Sequence, residues 1–119
     1  MKVLIVESRP ELRKLWVRHL ERQGYAVTQA GCQDDAVAHL SREAADIIVL
    51  DLVLEQGSAL AVADFASYRQ PDARVIFVTN TTFFSDGSIF NHASNACAFL
   101  PAGTPPEDLA AMVAHYGHS

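Results

Sequence analysis

Apolar residues in this chain come in short solid runs, separated by stretches where they recur every three or four positions. Val3–Val6 is such a run, rich in β-branched side chains, and predicts a strand buried on both faces. Leu12, Leu15, Trp16, His19 and Leu20 follow at i, i+3, i+4, i+7 and i+8, which is one face of a helix. Ser8 is the expected cap of that helix, Pro10 suits its first turn, and Gly24 ends it. Tyr25–Gln29 alternates as a short strand, and Cys32–Glu43 carries Ala36, Val37, Leu40 and Ala44 as a second helix.

Asp46–Leu50 is again apolar after its first residue and stops at Asp51. Gly57 and Ser58 open a third helix, with Val62, Ala63 and Ala66 on its inner side. Pro71-Asp72 is a turn, and Arg74–Thr79 a fourth strand. Asn80–Asn95 reads as a loop around Asp86-Gly87 and a short helix. Ala96–Leu100 is a fifth strand, and the last helix, opened by Pro105-Pro106, turns Leu109, Met112, Val113 and Tyr116 to one side. Five strand–helix units with buried strands imply an α/β fold whose parallel sheet is covered on both faces. The expected architecture is a flavodoxin-like doubly wound (βα)5 fold of strand order 2-1-3-4-5, as a single domain over residues 1–119. In such a sheet the site lies beyond the carboxyl ends of the strands. This directs attention to Glu7-Ser8-Arg9, Asp51, Thr79-Asn80 and Pro101-Ala102-Gly103.

Composition narrows the function classes. The chain has 119 residues, half of them hydrophobic and 19% charged, enough apolar material for one core. The apolar runs are far short of a membrane span, and no charged segment followed by an apolar one marks a signal peptide, so the cytoplasm is the expected compartment. A formal charge of -5 argues against a nucleic-acid surface, which needs clustered cations. The cations that exist gather on the first helix: Arg9, Arg13, Lys14, Arg18 and Arg22 form a solvated face or a dock for an acidic partner. Cys32 and Cys97 have no metal-ligand spacing and read as free thiols, and His115 and His118 read as part of a frayed terminus.

Glu7 and Asp51, at the ends of neighbouring central strands, bring two carboxylates together, and these repel unless a cation or proton intervenes. An all-oxygen site of that kind suits Mg²⁺, and a carboxylate there can attack a phosphoryl donor. The plain alternatives are a turn-capping Asp51, a solvent-facing Glu7 and an ordinary strand residue at Thr79.

The residues carry a resemblance. Lys2–Glu7, Ala45–Leu52, Val75–Thr79 and Phe99-Leu100-Pro101 together resemble a response-regulator receiver domain of two-component phosphorelays, over Lys2 to about Val113. The Asp51 segment resembles the family's D-L-x-L-P-x-G-S-G stretch, with Glu55 for the proline and Ala59 for the last glycine. The resemblance implies Asp51 as phosphoacceptor, Thr79 as the hydroxyl that senses the phosphoryl group and Phe99 as the aromatic switch. It also implies that Glu7, Asp51 and the backbone carbonyl of Val53 hold a weakly bound Mg²⁺. Implied partners are a histidine kinase or phosphotransfer protein, a downstream protein or fused output domain, and a second copy of the chain, met through the face of the fourth helix, fifth strand and last helix. The protein is not expected to be an enzyme.

The departures bear on the chemistry. Ser8 stands where the family has a second acidic metal ligand, and Ala102 where it has the lysine that balances the phosphoryl oxygens; Gly103 replaces the following proline. Losing one such contact typically costs on the order of 10²–10³ in rate. Weakened phosphorylation is therefore one expectation, and a phosphorylation-independent interaction module the alternative. Arg9, beside a pocket short of positive charge, is placed either to fold over Asp51 and replace one cation or to stand exposed at the helix start. Exposed aromatics among Phe83, Phe84 and Phe90 would mark a partner surface. A cofactor-binding protein is disfavoured, because Glu7-Ser8-Arg9-Pro10 has no glycine for a phosphate loop.

Overall fold

The computed structural model of the protein describes residues 1–79, 95–101 and 103–117. Most of the loop and helix expected over Asn80–Asn95 lies outside them, as do Phe83, Phe84, Phe90, Ala102 and His118. The described strands are β1 (Lys2–Val6), β2 (Ala26–Ala30), β3 (Ile47–Asp51), β4 (Arg74–Thr79) and β5 (Ala96–Pro101). Between and after them run the helices α1 (Pro10–Arg22), α2 (Gln33–Arg42), α3 (Ala59–Arg69) and α4 (Pro106–Gly117). The sheet is parallel throughout in the order β2-β1-β3-β4-β5, as the pattern of buried strands predicted.

Strand side chains alternate between faces, so each solid apolar run serves two cores at once. Leu4, Val6, Ile48, Leu50, Val75 and Phe77 face α2 and α3, where Ala36, Leu40, Val62, Ala63 and Ala66 meet them. Val3, Ile5, Ile47, Val49, Ile76 and Val78 face the other way, against Trp16 and Leu20 of α1 and Leu109 and Val113 of α4. The alanines of α3 bring its backbone close to the sheet and leave little room for larger side chains.

Three details differ from the sequence reading. Leu15, placed on the inner face of α1, is 36% exposed, and Val17 packs on that side instead. Ala44 lies beyond the end of α2 and is exposed. Arg9, not Ser8, is the N-cap residue of α1, and no side chain caps that helix. The Ser8 hydroxyl is used elsewhere, accepting the Glu55 N–H at 2.9 Å.

Polar ties set the loops at the carboxyl edge. Gln33, at the start of α2, accepts the Ser58 N–H on its amide oxygen at 2.8 Å and donates its own backbone N–H to Gln56 O at 3.3 Å. Gly57 sits beneath it at φ +95, where a Cβ would lie 2.3 Å from Gln33 Cβ. Only glycine combines that backbone conformation with that approach. Ser58 then caps α3, its hydroxyl accepting from Ala61 N–H at 3.3 Å. The β3–α3 connection is thereby held from both sides, by Ser8 and by Gln33.

Candidate functional site

The register of the central strands places the site. Val6 pairs with both Ala30 and Leu50, so Glu7 emerges one position beyond the end of β1, beside the last residues of β3. Asp51 closes β3 opposite Val78, and Thr79 closes β4 opposite Pro101. Glu7 and Asp51 are fully or almost fully buried, at 0% and 3% exposure, and Thr79 is buried as well. Phe99 lies one strand further out and half-buried, its ring centroid 5.7 Å from that of Phe77.

Two buried carboxylates at one sheet edge need a compensating charge, and Arg9 supplies it. Its Nε donates to Glu7 Oε1 at 2.5 Å, and its Nη2 donates to Asp51 Oδ2 at 3.0 Å. Arg9 is thus not a free helix-start arginine: one guanidinium ties both acids together. The other oxygen of Asp51, Oδ1, accepts the Val53 N–H at 2.8 Å, so both of its oxygens are engaged. Beneath them Arg13 donates from Nη1 to the Glu7 carbonyl at 2.8 Å and from Nε to Gln29 Oε1 at 3.0 Å. Arg13 therefore leaves the expected solvated basic face and braces the end of β1. Its sequence signal was weak: an arginine one turn after Arg9, among other cations.

The electrostatics follow from burial. Loss of solvation is the largest influence on Glu7, and with the neighbouring Asp51 carboxyl it pushes the Glu7 pKa up to about 7 against the pull of Arg9. Arg9 is held above its ordinary value, chiefly by its hydrogen bond to Glu7. Glu7 Oε2 is buried and has no hydrogen-bond partner. A proton or a hard cation would satisfy it.

The family resemblance implies Mg²⁺, and the donor set here suits it: two carboxylates, oxygen throughout, with an orphaned Glu7 Oε2. Glu7 and Asp51, with the Val53 carbonyl, are the residues that would hold it. Ser8 is a neutral hydroxyl and brings no third charge, and its oxygen already accepts the Glu55 N–H. Among the described residues no three His, Cys, Asp or Glu side chains gather as a metal cluster. Ser8, Arg9, Asp51, Val53 and Glu55 line an open cleft of about 170 Å³ over the acceptor. Residue 102, where the family carries its lysine, lies outside the described residues, and its identity as alanine is a fact of the sequence. Elsewhere, Cys32 and Cys97 are free thiols, with burial raising the pKa of Cys97.

A family model described as the response regulator receiver domain matches residues 3–113, and the chain belongs to that family. It is similar to the response regulator receiver protein CpdR of Brucella abortus, 27% identical over 78 residues, or 66% of this chain. It spans 65% of CpdR's length, and 32% and 33% of two further relatives named as transcriptional regulators. Its fold matches a CheY-like response regulator receiver domain from Methanospirillum hungatei at a TM-score of 0.90 and 20% identity, covering 98% of this chain and 93% of that one. It also matches the response regulator TrrA of Thermotoga maritima, solved in complex with Mg²⁺-BeF, at a TM-score of 0.84 and 21% identity, covering 97% of each chain. No helix among the described residues is long and apolar enough to cross a membrane.

Proposed function

We propose that this receiver domain takes a phosphoryl group on Asp51 in a two-component phosphorelay, at a rate reduced by the changes around the acceptor. The observation that carries the reading is the pair of buried carboxylates, Glu7 and Asp51, at the carboxyl edge of β1 and β3, opening on a cleft at Asp51. In the step itself an Asp51 carboxylate oxygen forms the new O–P bond while the bond from phosphorus to the donor nitrogen breaks. The electron pair leaves with that nitrogen, which takes up a proton. A bound Mg²⁺ would supply charge neutralisation for the phosphoryl oxygens. Glu7 and Asp51 would hold it, and the Val53 N–H keeps the Asp51 carboxylate oriented through Oδ1. The buried Thr79 hydroxyl is the group to answer the new phosphoryl oxygens, and Phe99, beside Phe77, the side chain to pass the change outward.

The donor in this reading is a histidine kinase or phosphotransfer protein, and the output a downstream protein, a fused domain or a second copy of the chain. The protein works in the cytoplasm and assists only its own phosphotransfer. One observation favours a second reading, a phosphorylation-independent interaction module: Arg9 already engages Asp51 Oδ2. Beryllofluoride, a phosphoryl mimic, separates the two. Amide NMR shifts at Asp51, Thr79 and Phe99 that require both Mg²⁺ and Asp51 support the phosphorelay reading. An unchanged spectrum at millimolar Mg²⁺, identical to that of Asp51→Ala, supports the module.

A further inference from the structure

We propose that Arg9 is a tethered cation that closes the acceptor site, so that a divalent ion reaches Glu7 and Asp51 only when the guanidinium swings out. The inference concerns regulation of the site just described. It rests on that reading only in taking the two carboxylates as the divalent-ion face.

Arg9 uses two different N–H groups on two different carboxylates, Nε on Glu7 Oε1 and Nη2 on Asp51 Oδ2. It therefore spans the gap between the acids rather than pairing with one of them. This is a placement that the rigid guanidinium fork suits and an ammonium does not. The carboxylates are buried but the Arg9 side chain is 47% exposed, so its outer side already faces water. Its main chain stays anchored, with the backbone N–H directed at Glu7 Oε1 at 3.4 Å and the backbone carbonyl accepting the Arg13 N–H at 3.0 Å. The side chain can leave without disturbing α1.

The neutralisation is incomplete once Glu7 has given up its proton. One positive charge then faces two carboxylates, and Glu7 Oε2 is buried without a hydrogen-bond donor. A divalent ion satisfies both acids and that orphan, but it must take Asp51 Oδ2 from Arg9 and stand close to the displaced guanidinium. Metal and arginine therefore exclude each other. The site is closed at low metal concentration and opens as metal rises. Attack by Asp51 on a phosphoryl donor is likewise held back while Oδ2 is committed.

The test is Mg²⁺ titration of the full chain by NMR, following the Asp51 amide and the Arg9 Nε–H signal. Wild type is compared with Arg9→Ala, Arg9→Lys and Arg18→Ala, the last removing the same charge from an exposed part of α1. The expected results are a midpoint at least about tenfold lower in Arg9→Ala, a smaller gain in Arg9→Lys and no more than about a twofold change in Arg18→Ala. In wild type the Arg9 Nε–H signal leaves its hydrogen-bonded position at the same midpoint as the Asp51 shift, a readout that does not depend on any variant folding. An Arg9 signal that stays put while Mg²⁺ binds overturns the proposal. So does equal or weaker binding by Arg9→Ala, and so does failure of both proteins to bind. Tighter Mg²⁺ binding by Arg9→Ala with no beryllofluoride response in any variant would remove the phosphorelay reading and leave this one standing.

Discussion

The hydroxyl of Ser8 accepts the backbone N–H of Glu55 at 2.9 Å, joining the end of β1 to the β3–α3 loop across 47 positions of sequence. The position that most receivers give to an acidic metal ligand thus serves here as a loop staple. Two opposite outcomes are expected on changing it. Ser8→Ala removes the staple and costs about 1 kcal/mol of stability, read by urea unfolding. Ser8→Asp adds a third carboxylate at the cleft and raises Mg²⁺ affinity about tenfold, since affinity follows ligand charge.

Glu7 links stability to pH. Its folded pKa of about 7 lies above the ordinary value of 4.5, so between those values the native state holds a proton that the unfolded chain has released. Its contribution is fully present below about pH 4.5 and is lost as pH rises through 7. The whole span is on the order of 3 kcal/mol. Unfolding of wild type at pH 5 and pH 7.5 should show this fall, and Glu7→Gln should flatten it. A wild-type stability that rises across the same interval would contradict the assignment.

Gly57 and Gly24 both have positive φ, but only Gly57 is crowded. Gly24→Ala meets open space and carries only the left-handed backbone strain, about 1 kcal/mol. Gly57→Ala adds a collision with Gln33 and should cost about 2 kcal/mol or more, with shifts in the Ser58 and Asp51 amides. Equal losses for the two variants would show that the Gln33 contact is unimportant.

Gln70 joins three pieces of backbone at the opposite edge. Its Nε2 donates to the carbonyls of Leu40 and Glu43 at 2.8 and 2.6 Å, and its Oε1 accepts the Ala45 N–H at 2.7 Å. Gln70→Ala strands these groups and should cost about 1–3 kcal/mol in denaturant unfolding. The beryllofluoride response should be unchanged, because the site lies at the other end of the strands.

The strands were legible because a run such as Ile47–Leu50 has no second interpretation at that length, and burial on both faces forces the doubly wound arrangement. Asp51 was legible as the first polar residue after such a run, and Glu7 by the same logic after Val6. Leu15 was misplaced because periodicity defines a face but not where its edge meets water. Ser8, Arg13, Gln33 and Gln70 were misread or missed for another reason. Their partners are mostly backbone groups far away in sequence, and such hydrogen bonds leave no periodic trace. Arg9 stood between: its chemistry and place suggested a role beside Asp51, but only the folded geometry shows it bridging two acids.

The most direct test of Asp51 as acceptor is intact-mass measurement after incubation with phosphoramidate and Mg²⁺, on wild type and Asp51→Asn. The account predicts a single added phosphoryl group on wild type, formed faster in Arg9→Ala, and none on Asp51→Asn. No adduct on wild type or Arg9→Ala, or an adduct that persists in Asp51→Asn, would contradict it.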